Sequence, residues 1–144
     1  MPEAQARVLI DEQLSRARWH VCDRNAIDLV NYEGNAVREA VMKAGHGRVD
    51  YLLYVGRKVV GVIEAKPVGT PLVGVQWQSA MYASGLPEAY RHQAVLKDDR
   101  LPFVFEASGS ETQYTNGFDP KPRARKIYNF PQPATLAHSI RDSE

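Results

Sequence analysis

The chain has 144 residues, 44% of them hydrophobic and 24% charged, with a formal net charge of +1. These are ordinary globular values, which exclude wholesale disorder and a fibrous protein, and the length suits one compact core. No apolar run approaches the roughly 20 residues of a membrane helix.

Ala4, Val8, Ile10, Leu14 and Ala17 recur at helical intervals among Arg7, Asp11, Glu12 and Arg16. They predict an opening helix, with Trp19 and Val21 packing where it ends. Residues 23–35 are polar and irregular, with Ile27, Leu29 and Val30 as anchors. From Val37 the period changes to two, predicting a strand over 37–43 and a turn at Gly45-His46-Gly47. Segments 49–55 and 59–66 are rich in β-branched and aromatic residues and form a hairpin across Gly56-Arg57-Lys58. Together the three strands make an antiparallel meander, and the last two are apolar enough to be buried on both faces.

Pro67 and Gly69 stop the third strand, and Thr70 or Gly74 opens a helix to about Ala83, with Trp77 and Met81 in the core. Gly85 and Pro87 end that helix. Segment 103–107 is the next strand, 111–116 pairs beside it, and Asn116-Gly117 is a turn. Phe130-Pro131-Gln132-Pro133 punctuates a tail that closes in a short helix over 134–140. The order α, β-meander, α, β predicts an α/β fold, a mixed central sheet of meander plus further strands flanked by helices.

The single cysteine, Cys22, excludes an internal disulfide and a cysteine-cluster metal site, and it reads as a core residue of a protein in a reducing cytosol. Met1 to Arg7 lacks the basic and apolar regions of a secretory signal. A net charge near zero carries no whole-chain signature of nucleic-acid binding, so any such contact rests on local patches. The densest is Lys121, Arg123, Arg125 and Lys126, read as a solvated proline-containing loop, with phosphate contact as the alternative.

The chemistry concentrates elsewhere. Glu64 and Lys66 are two apart on a strand, so their side chains leave one face, while the carbonyl of Ala65 can turn toward them. With Asp50 on the neighbouring strand, two carboxylates and a carbonyl make a hard-oxygen site suited to Mg²⁺. A polarised water is then the natural nucleophile, and a lysine beside it orients that water or offsets phosphate charge. This requires Asp50 to sit across from Glu64. A three-residue loop at Gly56-Arg57-Lys58, or a bulge of equal effect, achieves it; a plain two-residue loop sets the acids on opposite faces. The alternative reading of Glu-x-Lys is a polar strand end in solvent. Gln78 and Tyr82, four apart, share a helix face from which Gln78 can bond Lys66 or a bound water and Tyr82 a phosphate oxygen. An amphipathic helix with Tyr82 half-buried explains the same spacing.

Gly47-Arg48-Val49-Asp50-Tyr51, Val62-Ile63-Glu64-Ala65-Lys66 and Gln78-x-x-x-Tyr82 closely resemble the N-terminal nuclease domain of type I restriction enzyme R (HsdR) subunits, members of the PD-(D/E)xK superfamily. The similarity extends to the opening helix and to the segment from Leu101-Pro102-Phe103 through Thr115-Asn116-Gly117. Val49 stands where the superfamily name has proline. The resemblance implies a restriction-endonuclease-like core and a Mg²⁺-dependent DNA endonuclease that hydrolyses foreign DNA, with Mn²⁺ able to substitute. It implies that Asp50, Glu64 and Lys66 are catalytic, that Asp50, Glu64 and Ala65 hold the metal, and that Gln78, Tyr82 and Arg48 support the site or touch DNA. Glu3 lies near an acidic position of the family, and Glu39 is a further acid able to face the site from the first strand; a solvated position is the alternative for each.

By the same resemblance the nuclease domain covers 1–130, and 131–144 leads toward a translocase. The implied partners are DNA, that translocase portion and the modification and specificity subunits, in the cytoplasm and away from membranes. No G-x-x-x-x-G-K-[ST] loop is present, so ATP is not expected to bind, and the chain reads as a fragment or a stand-alone relative. The competing reading is a catalytically silent DNA-binding or assembly module with the same fold. His46 in its glycine turn is an alternative phosphate contact. His20, His92 and His138 show no metal spacing, and Ser108-Gly109-Ser110 lacks the context of a hydrolase nucleophile.

Overall fold

The computed structural model describes residues 2–41, 48–72 and 86–143. The expected turn at Gly45-His46-Gly47 and the expected helix to about Ala83, with Trp77, Gln78, Met81 and Tyr82, lie outside the described residues, except that residues 70–72 are described and carry no helix, so the opening at Thr70 is not found. Among the described residues, seven strands form one sheet in chain order: β1 (His20–Cys22), β2 (Gly34–Val41), β3 (Arg48–Val55), β4 (Lys58–Ala65), β5 (Phe103–Ala107), β6 (Thr112–Asn116) and β7 (Arg125–Ile127). The pairs β1–β2 and β4–β5 are parallel and the others antiparallel, so the sheet is mixed and its centre is the expected meander. Helices α1 (Pro2–Arg16), α2 (Glu88–Arg91) and α3 (Pro133–Ser143), with a 3-10 turn at Arg24–Ala26, complete the described elements. None of the described helices is long and apolar enough to cross a membrane.

One face of the sheet packs against α1 and α3. Ala6, Ile10 and Leu14 of α1, with Ala17 just beyond it, and Leu136 of α3 meet Tyr51, Leu53, Val55, Ile63, Phe103 and Phe105 in one buried cluster. Burial of Ile10 or Leu14 contributes about 1.5–3 kcal/mol each. Ala4 and Val8, expected on this stripe, are exposed. At 100° per residue each lies some 200° from the buried residue two positions on, which turns it to the far side of the helix. The other face buries Leu52, Tyr54, Val59, Val62 and Val104 with Leu86 and Leu101, while Ile27, Leu29 and Tyr90 pack at its margin. Cys22 belongs to this second core, as a small buried residue.

Val30 is not an anchor: it is 79% exposed. Asp28 accepts the backbone N–H groups of Val30 and Asn31 in a local turn that points Val30 outward. Strand β2 opens three residues before its expected start. The three-residue strands β1 and β7 are too short to carry a periodic signal, and β7 takes Arg125 and Lys126 out of the basic loop. In the tail, α3 runs from Pro133 to Ser143, longer than expected, and Trp19 Nε1 donates to the Pro131 carbonyl at 2.9 Å.

The β3–β4 hairpin sets the register of the acids. Val55 pairs with Lys58 and Tyr54 with Val59, so the loop is only Gly56-Arg57, and Gly56 supplies the positive φ of +60°. Beyond that point Leu53 pairs with Gly61, Leu52 with Val62 and Tyr51 with Ile63. Val60 is therefore the extra residue of a β-bulge. Gly61 beside it is a close-approach position, because a Cβ there would stand 2.2 Å from the Phe103 carbonyl oxygen of β5. Continuing the register one step places Asp50 across from Glu64, the outcome that a two-residue loop without the bulge would have prevented.

Candidate metal centre at the strand ends

Asp50 lies at the start of β3, its side chain 16% exposed, and both its oxygens are engaged. Oδ2 accepts the backbone N–H of Ala65 at 2.8 Å, a bond that joins β3 to the end of β4. Oδ1 is ion-paired with Arg7 Nη2 from α1. Arg7 Nη1 also reaches Glu39 Oε1 at 2.7 Å, so one guanidinium spans two acids on neighbouring strands. Glu39 is flanked by the pairs Arg38↔Tyr51 and Ala40↔Val49 and stands level with Asp50. Its φ of +53° lies in the left-handed region, a conformation that costs a non-glycine residue about 1–2 kcal/mol. That turn carries its carboxylate to Arg7.

Around Arg7 the helix is pinned further. Tyr51 Oη donates to Asp11 Oδ1 at 2.6 Å, and Asp11 Oδ2 also accepts from Arg38 Nη2 at 3.0 Å. Burial raises the Tyr51 phenol well above its ordinary value, and the Asp11 carboxylate raises it further. Tyr51 thus stays a neutral donor. Arg7 and Asp11, four apart on one helix face, together fasten α1 to β2 and β3 beside the candidate centre.

At the other side, Glu64 closes β4 and its Oε1 lies 3.4 Å from Lys66 Nζ, with about a third of each side chain exposed. Lys66 donates its backbone N–H to the Ala107 carbonyl at 2.8 Å, which extends the β4–β5 ladder past the end of the strand. In the parallel register Glu64 faces Glu106 of β5, and Glu106 faces Gln113 of β6. Glu106 is only 7% exposed. Burial pushes its carboxyl above the ordinary value; Lys66 pulls it down and Glu64 pushes it up. Gln113 Nε2 donates to the Leu72 carbonyl at 3.0 Å.

The structure therefore brings together Asp50, Glu64, Ala65, Lys66 and Glu39. Glu3 lies in the first turn of α1 and Arg48 opens β3, but their side chains are outside the described residues, as are Gln78 and Tyr82 altogether. Two residues were absent from the expected site. Arg7 could have been found from its four-residue spacing to Asp11, and Glu106 as the one charge in the apolar run Phe-Val-Phe-Glu-Ala. The remaining candidates sit elsewhere: His92 and His138 pair with Glu88 and Asp142 on their own helices, and His20 stacks on Tyr32. Ser108 holds the β5–β6 turn by accepting the N–H of Glu111, in a strand–turn–strand setting.

Among the described residues no group of three His, Cys, Asp or Glu side chains converges to hold a metal ion. The donor set expected at the strand ends, two carboxylates and the Ala65 carbonyl, is all oxygen. That chemistry fits Mg²⁺, which takes its remaining ligands from waters and substrate oxygens.

Comparison with known proteins bears on this arrangement. The fold is similar to a solved fragment described as an HsdR subunit of a type I restriction enzyme from Vibrio vulnificus YJ016, with a TM-score of 0.65 and 19% sequence identity. The likeness covers 99% of this chain and 26% of that one, so the chain spans about a quarter of that fragment's length. No curated protein matches the chain. A family model described as the second domain of the type I restriction enzyme EcoKI endonuclease subunit matches residues 31–121, which include β2 to β6 and the whole Asp50–Lys66 region. Those 91 of 144 residues are more than half of the chain, and it belongs to the family of that restriction-subunit domain.

Proposed function

We propose that this domain is a Mg²⁺-dependent DNA endonuclease of a type I restriction–modification system, built on the PD-(D/E)xK plan. The observation that carries the reading is the bulged hairpin register, which sets Asp50 across from Glu64 with Lys66 beside it. Asp50, Glu64 and the Ala65 carbonyl hold the cation. When bound, Mg²⁺ supplies a polarised water and offsets charge on the phosphate oxygens. The Lys66 ammonium orients the attacking water and favours the charge that develops on the phosphate. Gln78, Tyr82 and Arg48 support the site or contact DNA, and Glu3 and Glu39 extend its acidic margin. The nuclease unit spans 1–130, and 131–144, with α3 docked on it, would lead toward a translocase domain in a full R subunit. Recognition of the target then comes from the modification and specificity subunits, since sequence readout requires contacts to base edges.

A second reading has its own observation. Both Asp50 oxygens are satisfied by Arg7 and the Ala65 N–H, as in a silent DNA-binding or assembly module that no longer loads metal. A Mn²⁺ soak of crystals of the protein separates the two. The nuclease reading expects anomalous density among Asp50, Glu64 and the Ala65 carbonyl, abolished in Asp50→Ala. No density in well-ordered crystals supports the silent module.

A further inference from the structure

Glu64, Glu106, Gln113 and Lys126 pair in one row across four strands, and continuing the β3–β4 register one step past Tyr51 and Ile63 adds Asp50 as a fifth. Four of them have partners. Asp50 has Arg7, Glu64 has Lys66 at 3.4 Å, Gln113 has the Leu72 carbonyl, and Lys126 has Glu111 at 3.6 Å. Glu106 is the exception. It is more than nine-tenths buried, yet no hydrogen bond or ion pair joins it to any of the described residues.

A carboxylate that the fold strips of most of its water is stabilised by an occupant of opposite charge beside it. Lys66 is placed to be that occupant. It follows Glu64 by two positions, so strand alternation directs both toward the face of Glu106, and its N–H is already bonded to the residue after Glu106. Its contact with Glu64 is long, and each of the two side chains is about a third exposed. Glu64 is also the carboxylate that the proposed metal requires. An ammonium and a divalent cation repel each other, so a cation on Glu64 weakens its hold on Lys66.

We propose that Glu106 is a positioning residue for Lys66: when Glu64 turns to a divalent cation, the Lys66 ammonium transfers from Glu64 to Glu106, which keeps it beside the phosphate. This rests on the nuclease reading above. It also explains why a charge is retained in an otherwise apolar strand.

The test uses the whole chain and Mg²⁺ or Mn²⁺ as the probe. In the wild type, NMR should show a contact between the Lys66 ε protons and the Glu106 γ protons that strengthens on saturation with Mg²⁺. In Glu106→Gln, Mn²⁺ affinity by calorimetry should stay within twofold of wild type, while kcat for DNA cleavage falls about tenfold or more with KM little changed; Glu106→Asp should recover part of the loss. A Lys66–Glu106 contact that Mg²⁺ leaves unchanged or weakens overturns the proposal without touching the nuclease reading. So does a tenfold loss of Mn²⁺ affinity in Glu106→Gln, which would make Glu106 a ligand. If the wild type binds no Mn²⁺, the nuclease reading fails and the transfer fails with it. The wild-type NMR contact decides the matter even where the variants do not fold.

Discussion

The two sides of the candidate centre are held in different ways. At the β2–β3 side, Asp50 is fixed by a guanidinium from α1 and by a backbone N–H, and its neighbour Glu39 is bonded to the same guanidinium. At the β4–β5 side, Glu64 faces a lysine at 3.4 Å, and the Glu106 carboxylate beside them has no bonded partner among the described residues. The first side is cross-linked to a helix; the second is open enough to rearrange. The proposed nuclease, in loading a cation and then presenting a lysine to substrate, would use both properties: one ligand fixed by the fold, and a second able to change partners.

That contrast is most strongly tested at Lys66 and Asp50. Lys66→Ala should lower DNA cleavage by about 10²–10³-fold or more, the cost typical of removing one group that stabilises transition-state charge. Mn²⁺ affinity should persist or rise, since a neighbouring positive charge is gone. Asp50→Ala should remove cleavage and Mn²⁺ binding together. Parallel cleavage assays and calorimetry, with circular dichroism to confirm folding, check the pair. Cleavage unchanged in Lys66→Ala would remove the lysine from the mechanism.

Much of this side of the molecule was legible in the sequence. The β-branched runs around Gly56 named the hairpin, Glu64-Ala65-Lys66 named the candidate face, and the need for Asp50 to meet Glu64 turned into a register requirement that the Val60 bulge meets. The bulge itself was not legible. Val59 and Val60 look alike in sequence, and which of them is the extra residue depends on packing against β5 at Gly61. Arg7 was equally hidden, because a polar position on an amphipathic helix reads as solvated until the sheet beneath it is known. Glu39 depended on a left-handed backbone that no propensity favours. Strands β1 and β7 escaped because three residues carry no period, and they gain their pairing only from the strand beside them.

Arg7→Ala sharpens the comparison from the fixed side. It removes the ion pair to Asp50 and the bond to Glu39, but Arg7 is about a third exposed, so the loss of stability should be screened to about 1 kcal/mol in urea unfolding. Mn²⁺ affinity should rise, because the guanidinium no longer competes for the Asp50 carboxylate. A fall instead would mean that Arg7 holds Asp50 in its ligand geometry, and the fixed side would then be prepared for metal rather than occupied against it. Tyr51→Phe probes the same anchorage one turn along α1. It deletes the 2.6 Å bond to Asp11 and should cost about 1 kcal/mol, read from the urea midpoint, with metal affinity unchanged.

The smallest effect concerns the open side, through pH. Burial raises the Glu106 carboxyl above its ordinary 4.5, so the folded chain binds this proton more tightly than the unfolded chain does. Its contribution to stability is complete below 4.5 and declines as pH rises through the folded value. Other groups titrate over the same range, so the quantity to measure is the difference in urea stability between the wild type and Glu106→Gln, without metal, from pH 4 to pH 7. The wild type should lose ground to the glutamine variant across that window. A difference that stays flat would mean that Lys66 already compensates the buried carboxylate in the metal-free protein. The ammonium would then sit at Glu106 before any cation arrives, and the two sides of the centre would differ in their partners but not in their readiness to move.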